Sequence, residues 1–271
     1  MATINGTAAS ETIKGTDKVD FIYGKQGNDI LKGKKGADSL FGDEDNDTLI
    51  GGRGADYLNG GSGIDTASYK DSHAGVEADL SFGAGKGGTA KGDTWVEIEN
   101  LTGSDFNDKL TGDDGVNVLK GGKGKDKLKG KDGGDFLIGG KGNDNLKGGA
   151  GFDELSGNLG NDTMTGGSGV DRFIFDTKLD ADTNVDKIKD FTPNVDKIVV
   201  DNDIFKKLGA SVDNNEFRMG KKAKDDDDHL LYHQQTGNLF YDKNGDDPGG
   251  KTLFAKLDKG LTLSAFDFEI T

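Results

Sequence analysis

The sequence predicts an all-β protein in which short parallel strands wind into a β-roll. Three observations predict this fold: aspartates recur every nine residues, an apolar residue follows each of them two positions later, and glycines open most of the nine-residue units. Self-similarity at a fixed short period is the signature of a solenoid, in which each unit stacks on its neighbours. One repeating element is therefore expected to dominate the fold.

The aspartates form two runs with the same nine-residue spacing. The first run comprises Asp20, Asp29, Asp38, Asp47, Asp56 and Asp65, and the second comprises Asp108, Asp126, Asp135, Asp144, Asp153, Asp162 and Asp171. Asn117 fills the gap in the second run. The separation between Asp65 and Asp108 is not a multiple of nine, so the register breaks between the runs.

The apolar residues predict the interior of the roll. They are Ile22, Leu31, Leu40, Leu49, Leu58, Leu110, Leu119, Leu128, Leu137, Leu146, Leu155, Met164 and Phe173. Residues two apart on an extended chain point to the same side, so the aspartates and these residues are both expected to face inward. A disordered chain rich in Gly, Asp and Lys is the alternative, but disorder does not require an apolar residue at a fixed phase.

This geometry predicts calcium sites in the turns. Two nine-residue units complete one coil, so turns eighteen residues apart should stack about 4.8 Å from each other. Calcium accepts six to eight oxygen ligands at roughly 2.3–2.6 Å, so an ion between two stacked turns can contact both. About eight filled sites would balance the net charge of -15. Zinc would require His or Cys, and magnesium prefers water and shorter bonds.

The composition excludes several classes of function. The net charge of -15 argues against nucleic acid or an anionic membrane as a direct partner, and the absence of cysteine excludes disulfides and thiolate metal sites. No apolar stretch is long enough to form a transmembrane helix, and the N-terminus shows no Sec-type signal. No nucleophile elbow, phosphate loop or zinc-protease motif is present, so the chain is predicted not to be an enzyme.

The unit Gly139–Lys147, with the sequence GGKGNDNLK, resembles the RTX repeat, a hemolysin-type calcium-binding nonapeptide. The resemblance covers residues 15–68 and 103–175. It implies a parallel β-roll in which one turn supplies carbonyl oxygens and its Asp, and the next turn on the same edge supplies the remaining ligands. Glu11 and Asn117 stand where Asp is expected, and Asp43 and Asp45 stand where Gly is expected, so weak or empty sites are expected there.

The resemblance assigns ligands residue by residue. Asp126 would share an ion with Asp144, and Asp135 would share one with Asp153. The metal ligands that it implies are the thirteen aspartates of the two runs, together with Asp190 after the roll and the carbonyls of Gly121, Lys123, Gly140 and Gly142.

Four segments are expected: a first roll block over residues 1–68, a spacer over 69–102, a second block over 103–175 and a C-terminal region over 176–271. The spacer is expected to loop out from one continuous roll, with two separate rolls as the alternative. Trp95 in the spacer is interpreted as a core residue.

The C-terminal region is expected to be a mainly β cap with a secretion signal. It resembles the segment that follows the roll in serralysins. Its last residues, Phe266–Thr271, resemble the tail of type I secretion substrates, which implies an exporter as partner, an uncleaved signal and a Gram-negative, extracellular location. A tight hairpin is predicted at Asn244-Gly245, and an EF-hand there is rejected. His229 and His233 are interpreted as solvated strand residues, and Asp225–Asp228 as an exposed loop.

The sequence leaves two functions open. The first is a stand-alone calcium-binding protein, resembling rhizobial RTX proteins, that folds on Ca²⁺ outside the cell and binds at a cell surface or matrix, with polysaccharide as a candidate partner. The start at Met1 and the tail favour this function. The alternative is a non-catalytic carrier module of a secreted hydrolase or polysaccharide-modifying enzyme. Toxin-like membrane insertion is disfavoured because long apolar helices are missing.

Overall fold

The computed structural model describes residues 1–271, and its regular structure consists of β-strands and three short 3₁₀ turns. The prediction of an all-β fold is therefore confirmed. Two compact units, Met1–Asp132 and Gly133–Thr271, divide the chain inside the second block of repeats. None of its helical turns has the length and apolar character that a membrane-spanning helix requires.

The first unit contains fifteen strands, β1 to β15. They are β1 Ala2–Asn5, β2 Thr12–Lys14, β3 Asp20–Lys25, β4 Ile30–Lys35, β5 Ser39–Glu44, β6 Thr48–Arg53, β7 Tyr57–Ser62, β8 Thr66–Ser68, β9 Glu77–Asp79, β10 Ala84–Lys86, β11 Thr94–Val96, β12 Asn100–Thr102, β13 Lys109–Thr111, β14 Val118–Lys123 and β15 Lys127–Asp132. The 3₁₀ turns Leu80–Phe82 and Gly88–Ala90 lie between β9 and β11.

Apart from β9, β10 and β11, successive strands of the first unit alternate between two sheets. The first sheet has the order β1-β3-β5-β7-β11-β10-β9-β13-β15, and the second has the order β2-β4-β6-β8-β12-β14. Within the repeats, each strand pairs in parallel with the strand two positions later, so Ile22 lies beside Leu40 and Leu31 beside Leu49. One coil therefore contains two nine-residue units, as the spacing predicts.

The apolar residues of the repeats form the core between the two sheets. Leu31, Leu40, Leu49 and Leu58 are fully buried. Burying a side chain of this size stabilises the fold by about 1.5–3 kcal/mol. Since each short strand contributes one such residue, the strands depend on stacking rather than on their own length for stability.

The spacer does not loop out, so that expectation is wrong. Strand β11 pairs in parallel with β7 and places Trp95 beside Leu58, and β9 pairs in parallel with β13 and places Ala78 beside Leu110. Strand β10 lies antiparallel between them. These strands extend the sheet because their inward residues fit the apolar column and their backbone groups find ladder partners. Trp95 is buried, as predicted.

The second unit contains twelve strands, β16 to β27. They are β16 Phe136–Lys141, β17 Asn145–Gly151, β18 Glu154–Leu159, β19 Thr163–Gly169, β20 Arg172–Phe175, β21 Asp186–Ile188, β22 Lys197–Val200, β23 Phe217–Met219, β24 Leu230–His233, β25 Asn238–Asp242, β26 Lys251–Lys256 and β27 Phe268–Ile270. The third 3₁₀ turn, Ala265–Asp267, precedes β27.

The sheets of the second unit join the last coils of the roll to the C-terminal region. Their orders are β17-β19-β21-β26-β25-β24-β23 and β16-β18-β20-β22-β27. Beyond β21 the first of these sheets turns antiparallel, through β26, β25 and β24. Phe205 packs its ring edgewise against Tyr241 and Phe254 at centroid distances of 5.0 and 5.1 Å, which gives this region an aromatic core.

The hairpin of the C-terminal region differs from the prediction. Strands β25 and β26 pair antiparallel, but residues 243–250 separate them, so the connection is not a tight Asn-Gly turn. Gly245 has a positive φ of 63°. The acidic pair Asp246-Asp247 and Pro248 follow it, and proline cannot donate a ladder hydrogen bond, so the second strand begins only at Lys251.

Candidate metal sites

The repeated aspartates form hydrogen-bonded ladders along the two edges of the roll. Each Asp occupies the last position before a strand or the first position in it, and one carboxylate oxygen accepts a backbone N–H from the neighbouring coil. At most positions the donor is the Asp eighteen residues earlier, whereas Ala2 donates to Asp20, Glu11 to Asp29 and Val76 to Asp108. The N–H of Asp20 donates to Oδ1 of Asp38 at 2.8 Å, and that of Asp29 donates to Oδ1 of Asp47 at 2.7 Å. In the second unit, the N–H of Asp135 donates to Oδ1 of Asp153 at 2.8 Å. One oxygen of each ladder carboxylate is thereby engaged.

The second carboxylate oxygen has a different environment. At several ladder positions Oδ2 is buried without a hydrogen-bond partner, namely in Asp29, Asp38, Asp47, Asp56, Asp65, Asp153 and Asp162. A buried carboxylate oxygen with no donor is costly unless a cation neutralises it. All of these side chains belong to aspartates that the sequence assigns as metal ligands.

Glycines keep the space around these oxygens open. A Cβ on Gly33 would collide with Oδ2 of Asp38 and with the carbonyl oxygen of Gly51, which lies one coil further on. A Cβ on Gly148 would meet Oδ2 of Asp153 in the same way. Carboxylate and carbonyl oxygens from neighbouring coils therefore converge, and an all-oxygen donor set of this kind fits calcium.

Burial and mutual repulsion act on the ladder carboxylates in the same direction. Burial, followed by the charges of Asp65 and Asp29, raises the pKa of Asp47 to about 7. Burial and the charge of Asp153 likewise raise the pKa of Asp171 to about 7. Asp20 in the first coil differs, since the backbone N–H of Thr16 lowers its pKa. Along most of the ladder the ionised state therefore requires a compensating positive charge.

Two departures from the repeat pattern preserve the turn geometry. Asp43 and Asp45 adopt the left-handed φ angles of 77° and 74° that glycine would otherwise supply. Such a conformation costs a non-glycine residue roughly 1–2 kcal/mol. The backbone N–H of Glu11 donates to Oδ1 of Asp29 at 2.8 Å, and its own carboxylate accepts the N–H of Thr7. Weak metal binding at these units stays a prediction.

Asn117 shows what an amide does at a ladder position. Its Oδ1 accepts the N–H of Asp113 at 2.8 Å, and its Nδ2 donates to the carbonyl oxygen of Glu99 at 2.8 Å. The amide therefore donates a hydrogen bond from the atom that replaces a carboxylate oxygen.

The ladders also include four acidic residues that the nine-residue phase does not identify. In the first unit, Oδ1 of Asp93 accepts the N–H of Asp56 at 2.9 Å, and Oε2 of Glu99 accepts the N–H of Asp65 at 2.7 Å. In the second unit, Oδ1 of Asp186 accepts the N–H of Asp162 at 2.9 Å, and Oδ1 of Asp196 accepts the N–H of Asp171 at 3.1 Å. Each stands two positions before a buried apolar residue, namely Trp95, Leu101, Ile188 and Ile198. That spacing, taken without the period, could have identified them.

Asp190 takes a position beside the roll. Its Oδ1 accepts the N–H of Gly166 at 3.0 Å and its Oδ2 accepts the N–H of Gly167 at 2.9 Å. Both oxygens therefore contact the backbone of β19, and the carboxylate stays half-buried. Its role as a ligand of the last calcium stays a prediction.

The carbonyl ligands implied by the resemblance lie in both units. Gly121 and Lys123 belong to β14, and Gly140 belongs to β16 while Gly142 directly follows it. The carbonyl oxygen of Gly121 lies beside the Cα of Gly103, close to Oδ2 of Asp108, in the arrangement already described for Gly33. The sharing of one ion between Asp126 and Asp144 stays a prediction.

The histidines and the acidic run of the C-terminal region differ from the expectations. His229 is buried, with Nδ1 at 2.8 Å from the carbonyl oxygen of Asp242, so its interpretation as a solvated residue is wrong. His233 is half-buried, and its Nδ1 lies 2.7 Å from Oγ1 of Thr236. Asp225–Asp227 are exposed as expected, whereas Asp228 is buried, and its Oδ2 accepts the N–H of Lys224 at 2.6 Å.

Comparisons with known proteins agree with the repeat geometry. A family model described as the RTX calcium-binding nonapeptide repeat (4 copies) matches residues 5–40, 33–67, 102–137 and 138–173. These segments contain both runs of aspartates. A comparison with curated proteins found no match.

Two solved structures are similar to the chain. The AlgE6R3 subunit of the Azotobacter vinelandii mannuronan C5-epimerase has 24% sequence identity and a TM-score of 0.32, over 60% of this chain and 78% of that chain. The extracellular lipase LipA from Serratia marcescens has 20% identity and a TM-score of 0.22, over 98% of this chain and 40% of that chain.

Proposed function

Since this chain is an RTX protein with calcium-binding nonapeptide repeats over residues 5–67 and 102–173, we propose that it is a secreted protein that folds on Ca²⁺ outside the cell. In this proposal it acts by binding, at a cell surface or in an extracellular matrix, and not by catalysis. The observation that carries the proposal is the row of buried aspartate oxygens that lack a hydrogen-bond donor. Calcium, when bound, supplies the positive charge that these oxygens require.

The coupling of folding to calcium follows from these carboxylates. In a calcium-poor cytosol the ladder carboxylates repel each other, which favours the unfolded chain that an exporter can thread. Extracellular calcium modules have affinities of about 10⁻⁴–10⁻³ M, so the concentration outside the cell is sufficient to load such sites. Each ion bound only by the folded roll then stabilises it, by about 2.7 kcal/mol at a hundredfold excess over the dissociation constant.

The test is circular dichroism and calorimetry of the purified chain in chelator, in calcium and in magnesium. We expect weak β-structure in chelator and in magnesium, and a cooperative gain of β-signal with the uptake of several ions in calcium. Full β-signal in chelator, or the absence of calcium uptake, would contradict the proposal.

Secretion by a type I exporter is the second part of the proposal. The resemblance of Phe266–Thr271 to type I tails supports it. A chain expressed with a type I exporter should appear in the medium, whereas a variant lacking residues 266–271 should stay in the cell. Equal export of both chains would refute the assignment of the signal.

A polysaccharide is the proposed partner at the surface. On the outer face of the first sheet, the rings of Tyr23 and Phe41 stack at 4.8 Å with an interplanar angle of 8°, and Tyr57 follows at 5.8 Å. Stacked rings on a flat sheet offer an apolar face to sugar rings, and the tyrosine hydroxyls offer a polar edge. The net charge of -15 favours a neutral polymer over an acidic one.

The double variant Tyr23→Ala/Phe41→Ala tests this surface. We expect it to lose most of the retention that the wild type shows on neutral polysaccharide resins in calcium. The variant Val116→Ala, which shortens an exposed side chain away from the aromatic row, is the control and should be retained like the wild type. Equal retention of both variants would refute the aromatic surface.

A further inference from the structure

Asp93 lies in the spacer, outside both runs of nonapeptides, yet it occupies a ladder position. Its Oδ1 accepts the N–H of Asp56 at 2.9 Å, as Oδ1 of Asp56 accepts the N–H of Asp38 at 2.8 Å. The backbone N–H of Thr94 donates to the carbonyl oxygen of Asp56 at 2.9 Å, which repeats the bond from Tyr57 to Asp38. The chain around Asp93 therefore reproduces the backbone geometry of a repeat without its sequence.

Three side-chain oxygens at this position are buried. Oδ2 of Asp56, Oδ2 of Asp93 and the hydroxyl oxygen of Tyr69 make no hydrogen bond of normal geometry, and the three residues are each 1% exposed. Tyr69 lies close to both carboxylates, since their charges, after burial, contribute to raising its pKa. The phenol O–H can donate to the Asp93 carboxylate, and all the atoms that this cluster offers to a cation are oxygens.

We propose that Asp56, Asp93 and Tyr69 form a calcium site that the nonapeptide pattern does not encode, and that this site fastens the spacer to the roll. The proposal rests on the proposed function, because it extends calcium binding to a segment without repeats. Asp56 supplies the ligand from the roll, and Asp93 supplies the ligand from the spacer. The ion would then join β7 to β11, at the point where the order of strands departs from the simple roll.

Trp95 provides a local signal for this site. It follows Asp93 by two residues on β11, is 4% exposed, and its ring centroid lies 6.5 Å from that of Tyr69. It is the single tryptophan of the chain. Terbium, which replaces calcium at oxygen sites, should therefore emit on excitation of tryptophan when it occupies this site.

The experiment compares wild type, Asp93→Asn and Asp153→Asn by terbium luminescence and by counting bound calcium. Asn at position 93 keeps the oxygen that accepts the Asp56 N–H and replaces the other oxygen with an amide. Asp153→Asn makes the same change at a ladder position of the other unit. We expect Asp93→Asn to bind one calcium fewer and to lose at least about two thirds of the sensitised emission. Asp153→Asn should also bind less calcium but keep the emission.

The outcomes separate this site from the general proposal. If the wild type binds no calcium, the proposed function fails. If the wild type binds calcium and Asp93→Asn keeps both the ion count and the emission, only the spacer site is refuted. If Asp93→Asn does not fold in calcium, the variant Tyr69→Phe provides the test. A severalfold higher terbium concentration at the midpoint of its titration would support the site. An unchanged midpoint would indicate that a proton, and not a cation, occupies this cluster, and would overturn the proposal.

Discussion

Replacing Asp47 by asparagine tests whether the ladder carboxylates hold cations or only shape the turn. Oδ1 of Asp47 accepts the N–H of Asp29 at 2.7 Å, and its Oδ2 is buried without a partner. The N–H of Asp47 in turn donates to Oδ1 of Asp65 at 2.7 Å. Asparagine keeps the first oxygen and both ladder bonds. The substitution therefore removes mainly the charge and the unpaired oxygen.

The expected magnitude follows from the position of Asp47 between two coils. Its carboxylate borders the interval towards Asp29 and the interval towards Asp65, so the variant should lose one or two ions. At a calcium concentration a hundredfold above the dissociation constant, each lost ion lowers the free energy of unfolding by about 2.7 kcal/mol. The total expected loss in calcium is therefore about 3–5 kcal/mol. In chelator the same change removes a buried charge and should not weaken the roll.

The assay is calcium stoichiometry by calorimetry together with the calcium midpoint of folding by circular dichroism. The control is Leu49→Ala, which lies two residues away in β6 and is fully buried. Its cavity should cost about 2–5 kcal/mol and raise the calcium midpoint without changing the number of ions. A variant Asp47→Asn that binds as many ions as the wild type would refute the assignment of this carboxylate as a ligand.

Three further predictions concern pH, the outer turn and the core. In chelator, burial raises the pKa of Asp47 and of Asp171 to about 7, from the ordinary value of 3.8. Between these two values the folded state binds more protons than the unfolded state, so the β-signal should increase as the pH falls from about 7 to 4. A β-signal that does not change over this pH range would contradict the prediction. Asn46→Ala removes the acceptor of the Ile64 N–H, a bond of 2.8 Å at the surface, and should lower thermal stability in calcium by about 1 kcal/mol; a loss as large as that of a core cavity would contradict this. Leu155 is fully buried in β18, so Leu155→Ala should lower the free energy of unfolding in calcium by about 2–5 kcal/mol. A loss below about 1 kcal/mol would show that the neighbouring side chains fill the cavity.

The repeated part of the fold could be predicted because its period is a property of the backbone. One coil requires two turns and two strands, and a nine-residue unit fixes which residue faces inward at each step. Asp38 and Leu40 illustrate this, since both are buried on the same side of the chain. Most residues of such a unit have local surroundings similar to those of the counterpart eighteen residues away, so local sequence is sufficient to place them.

The spacer and the C-terminal region could not be predicted to the same extent, because their strands are placed by partners distant in sequence. The residues around Ala78 and Trp95 indicate strands, but nothing local specifies that β10 runs antiparallel between them. His229 shows the same limit. Its burial depends on the carbonyl oxygen of Asp242, in a neighbouring strand that a tight hairpin would have placed differently.

The choice of aspartate at the ladder positions is itself an argument for a cation. The ladder hydrogen bond needs only one acceptor oxygen, and Glu99 shows that a longer side chain can accept it as well. Asn117 shows that the turn also tolerates an amide, whose Nδ2 then donates to a carbonyl oxygen. A neutral amide would avoid the cost of burying a charge, so a ladder that served only to shape the turns would favour asparagine. Apart from Asn117, the chain instead has aspartate at all positions of the two runs. The second carboxylate oxygen of these aspartates has no role in the ladder bond, and it is the atom that a cation requires.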